Sequence, residues 1–301
     1  MTLLNTDYLA SGHRDGQIKI WNTTKGSLVR TLKGHTSSIQ SLVTFKRNNQ
    51  LASASHDGTI IIWDPFTGYL LKTLLAFPSL LCLSVLDDDQ SLASGHNSNG
   101  IYVWNLSDSS LIESIKFENV KIVSLITLND HMLAGITDDS SIKIWKSQDW
   151  TWILSDFREN NNGIFRILND HRDKVNCLVS LPGREMFASG SHDTTIKIWI
   201  NEDNGLIRTL RGHTSSVICL TVLLDGSLSS GSDDSTIRIW NPYTGDLLKI
   251  VKEHIHKVTH LAALNDGRLL FYMEYTDYGR LKVIKIERSW DLKSDYGNLK
   301  K

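Results

Sequence analysis

The sequence predicts an all-β fold: a seven-bladed β-propeller of four-stranded antiparallel blades, forming a single domain over residues 1-301. Three observations support this prediction. A hairpin segment that ends in tryptophan recurs six times, the tryptophans are 42, 41, 41, 54 and 41 residues apart, and each repeat contains four short strand-like segments between turn residues. Four-stranded repeats of about 40 residues are typical of propellers, not of sandwiches or helical solenoids.

The recurring hairpin is clearest in the second repeat, where "LASASHDGTIIIW" ends at Trp63. The other five copies end at Trp21, Trp104, Trp145, Trp199 and Trp240. A seventh, fainter copy, "FYMEYTDYGRLKVIKI", ends near Ile284 and lacks the tryptophan. We therefore expect six clear blades and one degenerate blade.

The unbroken apolar run before Trp63 fits this architecture. Neighbouring blades cover both faces of a blade, so its middle strands are expected to be apolar throughout and not to alternate with polar residues. The tryptophan would fill the widening space between blades. In the sixth repeat the four strands are predicted at Ser216–Leu223, Leu228–Ser232, Thr236–Trp240 and Leu247–Val251, with turn residues between them.

The two ends of the chain are predicted to form a weak seam. Met1 aligns with the middle of a first strand, so the first blade is expected to start late. Residues 287–301, "ERSWDLKSDYGNLKK", would have to supply the last outer strand. We therefore expect incomplete first and last blades, and either a ring with an open edge or a fragment of a longer protein.

Composition narrows the function classes. The net charge of -1 offers no general attraction for nucleic acid or for an anionic membrane, and no apolar run reaches membrane-spanning length. Cys82, Cys177 and Cys219 occupy equivalent positions in three first strands, where small side chains fit around a central channel. They predict packing roles, no metal or cofactor, and an intracellular location, with the cytoplasm favoured and the nucleus left open.

Four polar residue types recur together in three repeats: a histidine before the first strand, a serine in the second strand, an aspartate in the turn and a tryptophan in the third strand. In all three repeats the serine lies 10 residues and the aspartate 6 residues before the tryptophan. An indole N–H only donates a hydrogen bond, hydroxyl and imidazole groups both donate and accept, and a carboxylate only accepts. A chain of hydrogen bonds from Trp through Ser and His to Asp therefore gives every group a partner.

These motifs resemble those of the WD-repeat family over nearly the whole chain. The resemblance implies a hydrogen-bonded network, with structural rather than catalytic roles, of His35, Ser53, Asp57, Trp63, His171, Ser189, Asp193, Trp199, His213, Ser230, Asp234 and Trp240. Other repeats depart from the pattern: in the first, the histidine position would fall before Met1, the third has Ser98 for aspartate, and the fourth has Gly135 for serine. We expect blades three, four and seven to be the least protected from local opening.

A Ser–His–Asp set also suggests a hydrolase triad. The set recurs three times in one chain, and no nucleophile elbow or glycine-rich oxyanion turn accompanies it. We therefore predict no catalytic residues. An enzymatic alternative would have to use His260, which stands where other first strands carry a small residue.

Two surfaces are candidate partner-binding sites. Each turn between second and third strands exposes one residue before its aspartate position, on one rim of the channel: Arg14, His56, Asn97, Asp138, His192 and Asp233. Only one of these six is an arginine, which disfavours a phosphopeptide reader. An insertion at residues 147–163 is predicted on the opposite rim, where Trp150 and Trp152 are candidate interface anchors. The alternative is that these side chains fold back onto blade four.

The resemblance favours a non-enzymatic scaffold for protein–protein interaction, bound to other proteins or peptides as a subunit of a hetero-complex. It would use no cofactor, nucleic acid or membrane. The alternative is a substrate-recruiting or signalling subunit of a larger complex, such as a ubiquitin-ligase receptor or a G-protein-beta-like subunit, possibly contained in a longer multidomain chain.

Overall fold

The structure, a computed structural model, describes residues 1–5, 7–77, 79–86, 89–97, 100–116, 120–128, 132–146, 164–183, 186–200, 205–252, 256–264, 266–273 and 280–285. These residues form seven antiparallel sheets, six with four strands and one with three. The strands of each sheet follow one another in chain order, so each sheet is a meander. The architecture is a β-propeller, and each of the six four-stranded sheets is one blade.

The first three blades contain twelve strands. Blade 1 comprises β1 (Thr2–Leu3), β2 (Tyr8–Gly12), β3 (Ile18–Asn22) and β4 (Ser27–Leu32). Blade 2 comprises β5 (Ile39–Thr44), β6 (Leu51–Ser55), β7 (Thr59–Trp63) and β8 (Leu70–Leu75). Blade 3 comprises β9 (Leu80–Val85), β10 (Ser91–His96), β11 (Ile101–Asn105) and β12 (Leu111–Ile115).

The remaining sheets contain fifteen strands. Blade 4 comprises β13 (Ile122–Leu128), β14 (Met132–Thr137), β15 (Ile142–Lys146) and β16 (Ile164–Leu168). Blade 5 comprises β17 (Val175–Leu181), β18 (Met186–Ser191), β19 (Ile196–Ile200) and β20 (Leu206–Leu210). Blade 6 comprises β21 (Val217–Val222), β22 (Leu228–Ser232), β23 (Ile237–Trp240) and β24 (Leu247–Val251). The seventh sheet comprises β25 (Val258–Ala263), β26 (Arg268–Met273) and β27 (Arg280–Lys285).

The prediction of four-stranded antiparallel blades is confirmed for six sheets. The prediction of a seventh four-stranded blade is wrong for the described residues, because the last sheet has three strands there. Residues 287–301, from which a fourth strand was expected, lie outside the described residues. At the other end, β1 pairs with only two residues of β2, Thr2 with Ala10 and Leu3 with Leu9.

Apolar clusters fill every interface between neighbouring sheets. Between blades 1 and 2, for example, Trp63 packs with Ile18 and Ile20 and is 1% exposed. A smaller cluster connects the first and last sheets, where Leu9 of blade 1 meets Ala262 and Leu270. The isoleucine run of β7 is buried because both faces of the strand are covered, as the sequence predicts.

The propeller has two distinct rims. Backbone hydrogen bonds join the turn between second and third strands to the loop that enters the first strand, for example from His56 N to Ser38 O at 3.0 Å. We call this side the upper rim. The lower rim carries the turns between first and second and between third and fourth strands.

No helix within the described residues is long and apolar enough to cross a membrane.

Candidate functional site

A linear hydrogen-bond chain crosses the upper end of blade 2. Trp63 Nε1 donates to Ser53 Oγ at 2.7 Å, and Ser53 Oγ lies 2.7 Å from His35 Nε2. His35 Nδ1 lies 2.9 Å from Asp57 Oδ2. Ser53 is fully buried. This order satisfies each group if the neutral imidazole donates from Nδ1 and accepts at Nε2. The chain fastens the loop that carries His35 to the hairpin of the blade.

Blades 5 and 6 repeat this geometry. Trp199 and Trp240 each donate from Nε1 to the serine of their blade, at 2.7 and 2.9 Å. The histidine-to-serine distances are 2.7 and 2.8 Å, and both histidine-to-aspartate distances are 2.7 Å. The structure thus brings together the remaining quartet residues His171, Ser189, Asp193, Trp199, His213, Ser230, Asp234 and Trp240.

The pKa values of these groups follow from burial and hydrogen bonding. Burial lowers the pKa of His35, His171 and His213 despite their aspartate partners, so these imidazoles are neutral at pH 7. Burial alone would raise the pKa of Asp57, but hydrogen bonds from Thr59, Thr36 and His35 outweigh it and lower that pKa to about 2.

Blade 3 has no histidine in the loop before its first strand, and in blade 1 that position would precede Met1, yet each blade has a Trp–Ser–His arrangement. Trp21 and Trp104 both donate to their serine at 2.8 Å. The histidine comes from a different place: His13 Nε2 lies 3.0 Å from Ser11 Oγ in blade 1. In blade 3, His96 Nε2 lies 3.2 Å from the Oγ of the equivalent serine. Both histidines lie two residues after the serine.

The sequence analysis did not identify these two histidines. The signal was present, because "SGH" occurs only in the first and third repeats, and the third has no histidine in the loop before its first strand. In blade 2 the same position holds Ser55, which donates to the carbonyl oxygen of Ser37. The position two residues after the serine therefore has two uses. In blade 2 its side chain binds the entering loop, and in blades 1 and 3 it is the histidine that binds the serine.

Blade 4 has a different arrangement around Asp139. Lys143 Nζ lies 2.6 Å from Asp139 Oδ2 and also donates to Thr137 Oγ1 and Ser141 Oγ, at 2.8 and 2.9 Å. Burial would raise the pKa of Asp139, but the hydrogen bonds from Lys143, Ser141 and Thr137 lower it well below its usual range. A Cβ at Gly135 would lie 2.8 Å from Cζ3 of Trp145, so the indole occupies the space that serine takes elsewhere.

The geometry does not favour catalysis at the Ser–His–Asp sets. The serine hydroxyls accept an indole N–H and are buried, which leaves no approach for a substrate carbonyl. A cavity of about 690 Å³ lies near the lower rim, among Leu3, Thr44, Lys46, Thr221 and Leu261. The described residues that line it include no histidine, cysteine, aspartate or glutamate. Within the described residues, no three such side chains converge in a way that would hold a metal ion.

The six upper-rim candidates are all exposed: Arg14, His56, Asn97, Asp138, His192 and Asp233. Five of them also donate their backbone N–H to the loop beside them. The acceptors are the carbonyl oxygens of Ser38, Ser79, Lys121, Lys174 and Ser216, at 2.8–3.2 Å. Their side chains therefore project from turns that the neighbouring loops hold in place.

The other sequence candidates have mixed outcomes. The insertion at 147–163 does connect a third strand to a fourth, β15 to β16, but Trp150 and Trp152 lie outside the described residues. His260 is exposed and its Nδ1 lies 3.1 Å from Thr259 Oγ1. The three cysteines are free thiols, and burial raises the pKa of Cys82 and Cys177 to about 12.

The fold and the recurring Trp–Ser–His–Asp hydrogen bonds define this protein as a β-propeller built from sequence repeats. The family model described as "WD domain, G-beta repeat" matches residues 4–22, 26–64, 163–199 and 204–241. These segments contain the hairpins of blades 1, 2, 5 and 6, which all have the serine, aspartate and tryptophan of the pattern. The chain is a member of the WD-repeat family.

Relatives of known description match parts of the chain. Nuclear distribution protein nudF 2 of Penicillium rubens is 52% identical over 52 residues, 17% of this chain and 11% of that protein. Nuclear distribution protein nudF of Aspergillus flavus is 37% identical over 99 residues, 32% of this chain and 20% of that protein. Autophagy-related protein 16 of Arabidopsis thaliana is 23% identical over 228 residues, 74% of this chain and 34% of that protein. The chain therefore spans about a third or less of these relatives.

Proposed function

We propose that this chain is a non-enzymatic protein-interaction scaffold that binds partner proteins or peptides through its upper rim. The observation that carries the proposal is the coupling of turns and loops on that rim. Exposed polar side chains stand on backbone that is already hydrogen-bonded to the neighbouring loop. A rigid rim loses little conformational freedom when a partner binds, which favours affinity.

The network residues have a structural role in this proposal. The hydrogen bonds from Trp63 to Asp57 hold the loop that enters blade 2 against the hairpin, and so fix the position of that loop on the upper rim. The same role is assigned to the quartets of blades 5 and 6. The exposed residues Arg14, His56, Asn97, Asp138, His192 and Asp233, and Trp150 and Trp152 of the insertion, are the proposed contact residues.

We also propose that residues 1-301 form one closed domain of seven blades. The apolar contact of Leu9 with Ala262 and Leu270 supports closure, as does the hydrogen bond from Arg268 Nη1 to Thr23 O at 3.3 Å. An intracellular, cytoplasmic location is proposed because all three thiols are free and buried or half-buried. A role as one subunit of a hetero-complex is proposed because the matched relatives are much longer proteins.

The test is affinity capture from cell lysate with three proteins in parallel: the native chain, a rim variant and a control variant. The rim variant carries alanine at Arg14, His56, His192 and Asp233. The control carries alanine at Lys25, Arg47 and Lys249, which are exposed and away from the upper rim. All three must unfold at the same temperature. We expect a set of proteins to be lost from the rim variant only, and identical captures from all three would contradict the proposal.

A further inference from the structure

One upper-rim position differs in chemistry between blade 2 and the other blades. Near the upper end of each fourth strand, a buried or half-buried residue is followed by an exposed one, and in blade 2 this exposed residue is Leu75, opposite Thr59 in the strand register. Leu75 is 81% exposed. The equivalent residues elsewhere are Lys33, Lys116, Asn169, Arg211 and Lys252. A leucine thus stands where every other described blade carries a polar or basic side chain.

A second substitution lies two residues further along the same loop. Phe77 lies three residues after Leu74, and the loop histidines His35 and His213 lie three residues after the leucines that are equivalent in the strand register, so Phe77 occupies the position of those histidines. Its ring centroid lies 4.7 Å from that of Tyr102 and 6.3 Å from that of His96, and 42% of the residue is exposed. The loop of residues 75–79, "LAFPS", carries no charged residue. Leu75 and Phe77 therefore form an apolar segment on a rim that is otherwise polar.

The rim beside this loop favours negative charge in a partner. His56 and Asn97 are exposed on the adjoining turns, and Lys33 and Lys116 on the flanking loops. Asp57 is occupied by hydrogen bonds within blade 2. At the turn position of His56, blades 4 and 6 carry the exposed aspartates Asp138 and Asp233 instead. In blade 1, the charges of Arg14 and Asp15 offset each other.

We infer that the Leu75–Phe77 loop docks an extended segment of a partner protein that carries an apolar side chain flanked by carboxylates. The apolar side chain would cover Leu75 and the open face of Phe77, and the carboxylates would lie toward His56, Lys33 and Lys116. Buried apolar anchors supply most of the affinity at such contacts, and charge complementarity supplies register and association rate. The inference rests on the proposed function of the upper rim and names the partner chemistry there.

The experiment selects peptides from a phage-displayed random library against the full chain. We expect peptides with a leucine or aromatic residue next to aspartate or glutamate. Their affinity should fall at least about tenfold in Leu75→Lys, which restores the charge type of the other blades at an exposed position. Tyr69→Lys is the matched control, because Tyr69 is 70% exposed at the opposite end of the same outer strand, and binding should not change.

The outcomes separate this inference from the proposal on which it rests. Peptides that keep their affinity in Leu75→Lys but lose it in His192→Ala or Asp233→Ala overturn the inference and leave the upper rim as the binding surface. Peptides unaffected by any of these variants, or a selection that enriches none, contradict both. Enriched peptides without acidic residues overturn the carboxylate part, as does binding that salt does not weaken. A salt-sensitive, Leu75-dependent acidic peptide supports the inference.

Discussion

Blades 4 and 5 are neighbours with the same topology, but they hold their hairpins with different chemistry. In blade 5, His171 satisfies Asp193, whose side chain is 8% exposed. In blade 4, Lys143 satisfies Asp139, whose side chain is 56% exposed. Lys143 has an equivalent in blade 5, Lys197, because each lies opposite the serine or glycine position in the strand register.

The two lysines point in different directions because of what the entering loop provides. With His171 on Asp193, Lys197 Nζ reaches Thr209 Oγ1 of the outer strand at 3.1 Å instead. The loop that enters blade 4 contains no histidine, so Lys143 takes the aspartate. The loop of blade 5 is therefore tied to its hairpin by side chains, whereas that of blade 4 is held by the backbone bond from Asp138 N to Lys121 O and by the bond from Lys121 N to Asp138 Oδ1.

The largest expected effect comes from breaking the network of blade 5 at its centre. Ser189→Ala removes the acceptor of Trp199 Nε1 and the partner of His171 Nε2, both of which stay buried. We expect a loss of about 3 kcal/mol in the free energy of unfolding, measured by urea denaturation. Arg172→Ala is the control, because only its backbone N–H contacts Asp193. A loss no larger than that of the control would show that the quartet is dispensable.

A smaller loss is expected from the substitute pair in blade 4. Asp139→Ala leaves the buried ammonium of Lys143 with only hydroxyl partners, but the exposure of Asp139 shows that water reaches the site. We expect about 2 kcal/mol of destabilisation. The double variant Asp139→Ala with Lys143→Ile, which copies Ile61 of blade 2, should recover most of it. Equal instability of the single and double variants would mean that the ion pair does not fasten the turn.

Restoring the family residue in blade 4 should also destabilise it. Gly135→Ser adds a Cβ at 2.8 Å from Cζ3 of Trp145, so the indole must move out of a packed site. We expect a loss of about 1 to 2 kcal/mol, the usual range for overpacking. Thermal unfolding measures it, and Gly135→Ala, which adds the same Cβ without the hydroxyl, should lose a similar amount because the contact with the indole is the same. A stabilised Gly135→Ser variant would show that blade 4 is only a degraded copy of blade 5.

The comparison explains which features the sequence predicts well. Strand bounds in blade 6 agree within one residue at each end, because the 41-residue spacing, the turn residues and the apolar third strand all favour the same register. The quartets were recognisable because their spacing repeats. His13, His96 and Lys143 were missed because each reaches its partner from a nonstandard position, and that choice depends on side-chain packing in three dimensions.

On the upper rim, too, the sequence predicts some features and not others. The sequence identifies which turn residues are exposed, since they precede a recurring aspartate. It does not reveal that Phe77 replaces a loop histidine, because the loop of blade 3 is one residue shorter than that of blade 2 and the equivalence appears only from the strand register. The expectation that blades three, four and seven open most easily remains a prediction, and the bond of His96 places blade 3 closer to the complete blades.

The smallest expected effect is a difference in pH dependence between the two neighbouring blades. Burial lowers the pKa of His171 in the folded state, so below about pH 6.5 the unfolded chain binds a proton that the folded blade does not. Stability conferred by blade 5 should therefore fall as the pH drops from 7 to 5. Blade 4 has no histidine at this site, and the low pKa of Asp139 confines its loss to below about pH 4.

Hydrogen-exchange protection factors measure this difference directly. We expect protection in β19 to decrease between pH 7 and pH 5, whereas protection in β15 stays constant. His171→Gln is the control, since the amide donates and accepts hydrogen bonds but does not titrate, and it should remove the pH dependence of β19. If both strands lost protection in parallel, the ring would open as one cooperative unit, and the chemistry at each hairpin would not set the local stability of its own blade.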